Sequence, residues 1–159
     1  MKFLPSLRFL LLGLCAALAG CSTTAKPDSI IVTVADLKAA DLTPAETRVL
    51  MTLRFTSESV NAFAFASSTH KLYVNGSYLG RAASKTPIGM PPLSTVTKDV
   101  TLVPDNAALL KQLRTLPGEP VARYRLESVL TAISGEDEVR FKGSAEGTID
   151  LRGLQSGAR

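Results

Sequence analysis

Leu72-Tyr73-Val74-Asn75-Gly76-Ser77-Tyr78-Leu79 decides how this chain is read. Asn-Gly between two apolar runs signals a hairpin, because both central residues of a type I′ turn need positive φ and these two residues adopt it most readily. A two-residue loop there sets Tyr73 opposite Tyr78 and Leu72 opposite Leu79. Such like-with-like cross-strand pairs contribute ~0.2–1 kcal/mol each. Carried further, the same register sets the single histidine, His70, opposite Arg81. Asn75-Gly76-Ser77 also spells a glycosylation sequon, but the turn accounts for the residues without it.

Alternation of apolar and polar residues spreads outward from this hairpin. In Thr47–Thr56, Val49, Met51, Leu53 and Phe55 share one face and Arg48, Thr52 and Arg54 the other. Ile30–Leu37 and Thr95–Val103 are further strands, and Phe63 and Phe65 begin another apolar stretch after the polar Thr56–Asn61 segment. Gly135-Glu136 closes a second hairpin that pairs Leu130 with Phe141, Ala132 with Val139, Leu126 with Ala145 and Tyr124 with Gly147. Arg125 then meets Glu146 on the outer face, and Arg140 and Lys142 point to solvent. With Arg123 they could form a phosphate-binding stripe. Glu127, Glu146 and Asp150 share that face, so a solvated, partly paired surface is the reading adopted. One helix is expected. Pro104-Asp105-Asn106 supplies a capped start, Leu109, Leu110, Leu113 and Leu116 follow at helical spacing, and Pro117-Gly118 ends the run.

The N-terminus is an address. Met1–Arg8 is basic, Phe9–Ala19 is apolar but too short to span a bilayer, and Leu18-Ala19-Gly20-Cys21 closes it. The tetrapeptide resembles the lipobox of bacterial lipoproteins, which implies cleavage before Cys21 and acylation there, palmitate being the usual kind of chain. Ser22 at the next position implies the periplasmic face of the outer membrane. Ser22–Asp28 is a polar tether reaching roughly 24 Å at full stretch. Residues 1–20 are thus a signal peptide, 21–28 the lipidated Cys and tether, 29–152 the folded domain, and 153–159 a flexible C-terminal tail.

Of 159 residues, 45% are hydrophobic and 20% charged, as in ordinary globular domains. Loss of residues 1–20 removes Lys2 and Arg8, leaving sixteen cations against fourteen carboxylates, and with them most of the case for nucleic acid. Cys15 is lost as well, so Cys21 has no disulfide partner. His70 lies on a strand without the companions of a nucleophilic triad, and Cys21 is committed to lipid. Glu136-Asp137-Glu138 reads as solvated rather than as a metal site. Gly76, Gly80, Gly89, Gly118 and Gly135 read as scattered turn glycines rather than a phosphate loop. No enzyme activity, cofactor or metal is expected.

From Ile30 to about Leu151 the order of elements resembles the late embryogenesis abundant (LEA) type 2 family, also called the WHy (water stress and hypersensitive response) domain. The likeness rests on Ile30–Leu37, the long strand Thr47–Thr56, the strand–NG–strand segment Leu72–Gly80, the Pro87, Pro91 and Pro92 connection, Thr95–Val103 and Tyr124-Arg125-Leu126. Two positions depart from the family pattern. Thr56-Ser57-Glu58 replaces Asn-Pro-Asn, and Ser128 stands where glycine is common. The resemblance refines the all-β class to an immunoglobulin- or fibronectin III-like β-sandwich and implies stress or desiccation protection. The resulting expectation is a lipid-anchored, non-enzymatic domain that shields its neighbours. The rivals are a carrier of an apolar ligand such as lipid and a structural subunit of an envelope complex. The membrane, through Cys21, is the expected partner, and the identity of any protein or lipid partner is left open. A void between the sheets would favour the carrier.

Overall fold

In the computed structural model, residues 30–42, 47–109, 120–134 and 137–155 are described. Nine strands follow in order: β1 (Ile30–Leu42), β2 (Thr47–Ser57), β3 (Phe63–Phe65), β4 (Ser67–Val74), β5 (Ser77–Ser84), β6 (Ile88–Met90), β7 (Thr95–Pro104), β8 (Val121–Ser134) and β9 (Asp137–Asp150). Seven form one antiparallel sheet in the order β1-β2-β7-β5-β4-β8-β9, and β3 pairs with β6. The all-β expectation holds. Hydrogen bonding runs through all seven strands, so pairing alone does not divide them into two sheets. The β5–β7 ladder is short, with three residue pairs against eight between β2 and β7. The sheet curls until its outer strands, β1 and β9, come close together.

The alternating residues fill the inside of the curl. Val49, Met51, Leu53 and Phe55 of β2 are fully buried, as are Leu72 and Val74 of β4 and Leu126 of β8. Each such side chain stabilises the fold by about 1.5–3 kcal/mol relative to exposure.

The central turn has the expected geometry, with φ of 48° at Asn75 and 79° at Gly76, and Tyr73 opposes Tyr78. One step further the register differs. An irregularity between Leu72 and Tyr73 makes Leu72 face Gly80 rather than Leu79, so His70 opposes Ala82 and Arg81 opposes Lys71. The extra residue lets Leu79 as well as Leu72 reach the core. Gly80 and Gly89 lie in strands rather than turns. At Gly80 a β-carbon would stand 2.7 Å from the Cα of Pro104, so only glycine lets β5 approach β7 this closely. The turn at Gly135-Glu136 and Gly118 lie outside the described residues, but every pair expected of the second hairpin is present between β8 and β9.

The helix expected after Pro104 begins as α1 at residue 106 and is described to residue 109. Asp105 Oδ1 accepts the N–H groups of Ala107 (3.0 Å) and Ala108 (3.1 Å), and Leu109 is buried. Leu110, Leu113 and Leu116 lie outside the described residues. A second helix, α2 (Arg152–Gln155), does not follow from the sequence pattern; it starts at the last residue assigned to the folded domain and runs into the segment expected to be a flexible tail. Leu151 and Leu154, three apart, both turn into the core, and α2 packs on β1. Leu154 thereby gains burial that a free tail would forgo.

Candidate functional site

Strands β1 and β9 are the two edges of the sheet, and the seam between them differs along its length. The inner face of β9 carries Phe141, Gly143, Ala145, Gly147 and Ile149, with its smallest residues at the centre. What stands across from each glycine on β8 decides whether the space is filled. Gly147 faces Tyr124, whose ring lies over it so closely that a β-carbon would come within 2.9 Å of Cε1. The ring passes on to β1, where Tyr124 Oη accepts the buried N–H of Val34 (3.2 Å) beside a register shift between Val34 and Asp36. This end is closed.

Gly143 faces Ser128, and neither side chain reaches across. A β-carbon on Gly143 would find only the Ile30 carbonyl, at 4.0 Å. The result is a cavity of about 320 Å³ opening along the seam, with Ile30, Val32, Leu130 and Phe141 on its apolar side and Ser128, Lys142 and Ser144 on its polar side. Its volume lies at the lower end of the range for small-molecule pockets.

Ser128 turns instead to His70, with Oγ 2.9 Å from Nδ1. His70 is completely buried, with its ring edge-on to Phe55 at 6.1 Å, and burial pushes its pKa down to about 4. The cause is loss of water, not the opposing Arg81 expected from the uninterrupted register. His70 Nε2 and Ser68 Oγ are both buried without a protein partner. A neutral imidazole sealed in this way positions Ser128 rather than meeting solvent.

The basic stripe is dispersed. Arg125 lies over the Tyr73 ring at 4.4 Å and pairs with Glu127 at 3.6 Å, and Arg140 pairs with Glu138 at 3.3 Å. Cys21 and Glu136 lie outside the described residues. Sequence reasoning missed the cavity, although the signal was present: the register that placed Tyr124 opposite Gly147 also places Ser128 opposite Gly143. The Tyr124–Val34 bond left no such trace, because it links residues 90 positions apart across an unpaired edge.

No family model matches the sequence, and no curated protein matches it significantly. Among solved structures, AT1g01470 from Arabidopsis thaliana matches with a TM-score of 0.54 and 20% identity, over 76% of this chain and 78% of that one. A protein from Archaeoglobus fulgidus matches with a TM-score of 0.45 and 15% identity, over 77% and 94%. A candidate late embryogenesis abundant protein, At2g46140.1, matches with a TM-score of 0.44 and 13% identity, over 91% and 78%. The likeness to AT1g01470 shows a shared fold. Among the described residues no helix is long and apolar enough to cross a membrane.

Proposed function

We propose that this chain is a lipid-anchored envelope protein with a LEA type 2-like domain, which binds one slender apolar chain in the cavity between β1 and β9. The cavity beside Gly143 is the observation that carries this reading. Ile30, Val32, Leu130 and Phe141 give it an apolar wall, Ser128, Lys142 and Ser144 line the rest, and it opens along the unpaired seam, so a chain could lie on the apolar wall with a polar head toward Lys142. The fold is taken as an immunoglobulin-like sandwich, its halves β1-β2-β7 and β5-β4-β8-β9 joined at the short β5–β7 ladder. The order of sequence motifs and the shortness of the β5–β7 ladder support that description. The lipobox supports an anchor at Cys21, and Ser22 supports the periplasmic face of the outer membrane. The burial of His70 supports a non-enzymatic role, because the imidazole cannot exchange protons with a substrate at the surface.

Thermal unfolding of the chain from Cys21 onward, with fatty acid or phospholipid added, tests the proposal. A ligand that binds only the native state adds RT ln(1 + [L]/Kd), ~2.7 kcal/mol at a hundredfold excess over Kd. We expect a dose-dependent rise in Tm with one lipid class. No rise, together with dose-dependent protection of an unrelated enzyme during drying, would replace this reading with shielding by the outer surface.

A further inference from the structure

The large apolar side chains left in water are unevenly distributed. Val60, Leu93 and Ile133 are 74%, 69% and 65% exposed, and Ile31 and Val139 are exposed as well. All five sit at the end of the fold where β1 begins. Ile30 pairs with Ser57, the Ser57 N–H donates to the Ser94 carbonyl (2.8 Å), and the Leu93 N–H donates to the Ser59 carbonyl (2.9 Å). Two loops are thereby tied side by side, with Val60 and Leu93 on them. The β8–β9 hairpin projects from the same end. Phe63 and Phe65 pack on Phe141 at 5.9 and 5.5 Å, and beyond that cluster the hairpin continues through Ala132–Val139 to Ile133–Glu138.

Leu93 is also held at φ 48°, a conformation that a leucine adopts at a cost. Its side chain gains no burial in return. The opposite end exposes three such residues, Val103, Val121 and Tyr78, none as far as Val60, Leu93 or Ile133, and Tyr78 packs on Tyr73 at 5.6 Å.

We propose that the Val60–Leu93–Ile133 end enters the interfacial layer of a lipid bilayer, as a second membrane contact made by the folded domain itself. The occupant is specified by where the chain leads. Ile30 lies at this end, and the nine residue steps back to Cys21 reach only roughly 31 Å, so acylation at Cys21 would hold this end close to the membrane. A lipid anchor supplemented by inserted apolar side chains holds more stably than either alone. The geometry rests on the anchored reading of Cys21. It also brings the cavity, lined by Ile30 and Ile31, to the bilayer side, so an apolar chain could enter without crossing water.

The chain contains no tryptophan, so single replacements report without background. The described core lies within residues 30–154, so the chain from Cys21 onward keeps all of that core. In that chain Cys21 is the only thiol and can be coupled to a maleimide lipid whether or not cells acylate it. Leu93→Trp, Val60→Trp and Tyr78→Trp would each be coupled to vesicles of phosphatidylethanolamine and phosphatidylglycerol, with and without bromine on the acyl chains. We expect a blue shift and loss of most emission to bromolipid for Leu93→Trp and Val60→Trp, and neither change for Tyr78→Trp. Unshifted, unquenched emission from both apical variants overturns the bilayer contact. Equal quenching at all three sites overturns the orientation. Purification of Cys21 without lipid from cells would remove the anchored reading alone, because the vesicle assay is independent of cellular acylation.

Discussion

Gly147 and Gly143 are the same residue on the same face of the same strand, four positions apart, yet they have opposite consequences. The difference lies across the ladder. Tyr124 covers Gly147 and continues to β1, so an aromatic ring replaces the missing side chain and its hydroxyl satisfies an edge N–H. Ser128 is too short to cover Gly143 and is engaged with His70, so the seam stays open there. A glycine in a strand is therefore a closure or an opening according to its cross-strand partner. The fold invests its binding energy at one end of the seam and leaves space at the other.

The largest expected effect breaks the closed end. In Gly147→Val the new β-carbon and its methyl groups overlap the Tyr124 ring, which must leave its place and release the Val34 N–H. Overpacking costs about 1–3 kcal/mol and an unsatisfied buried N–H about as much again. Urea denaturation should show a loss of about 3–4 kcal/mol, and an unchanged midpoint would mean that the ring does not lie over Gly147.

The polar residues beneath the open end should make stability depend on pH. His70 has a folded pKa of about 4 against 6.5 for an ordinary imidazole, so between those values the unfolded chain binds the extra proton. The contribution is complete above pH 6.5 and is lost as pH falls toward 4. Full expression of the shift amounts to about 3 kcal/mol. Ala82 and Ser128, its partners in the two ladders, carry no charge that would alter this sign. Unfolding free energies measured across the window should decline with acid, and a weaker His70→Gln variant should lose that slope.

Much of this was legible in the sequence because alternation and turn chemistry are local. The Asn75-Gly76 turn set the Tyr73–Tyr78 pair, and the β8–β9 register emerged complete from Gly135-Glu136 outward. Legibility ended where a strand inserted an extra residue. The irregularity beyond Tyr73 moved His70 from Arg81 to Ala82, and two register shifts in β1 hid the continuation from Leu37 to Leu42. Helix α2 was concealed differently: Leu151 and Leu154 alone make no periodic stripe, and only the groove beside β1 gives them a reason to turn inward. The cavity is a third case. Small residues announce space only when their partner is known, and Ser128 reads as an ordinary polar residue until it is placed opposite Gly143.

A smaller test isolates the hydroxyl that closes the seam. Tyr124→Phe keeps the ring over Gly147 and removes only the acceptor for the Val34 N–H. The expected loss is about 1–2 kcal/mol, the range for a buried donor left unpaired. Hydrogen exchange at Val34 should accelerate with it. Faster exchange without a stability change would show that water takes over the bond.

The smallest expected effect on stability is at the open end, where it is the most informative about function. Gly143→Val places a β-carbon whose nearest atom outside its chain neighbours is the Ile30 carbonyl, at 4.0 Å, with the cavity beyond for its methyl groups. Strand preference favours valine over glycine by up to ~1 kcal/mol, and the side chain gains contact with the apolar walls. Stability should therefore hold within about 1 kcal/mol or rise slightly, in contrast to the same substitution at Gly147. Lipid binding should respond in the opposite sense, because the valine occupies the space proposed for the ligand. The comparison is clean because strand, face and substitution are shared, leaving Tyr124 against Ser128 as the difference. A Gly143→Val protein whose Tm still rises with the same lipid by the same amount as the parent would place the ligand elsewhere, even if Gly147→Val behaved as expected.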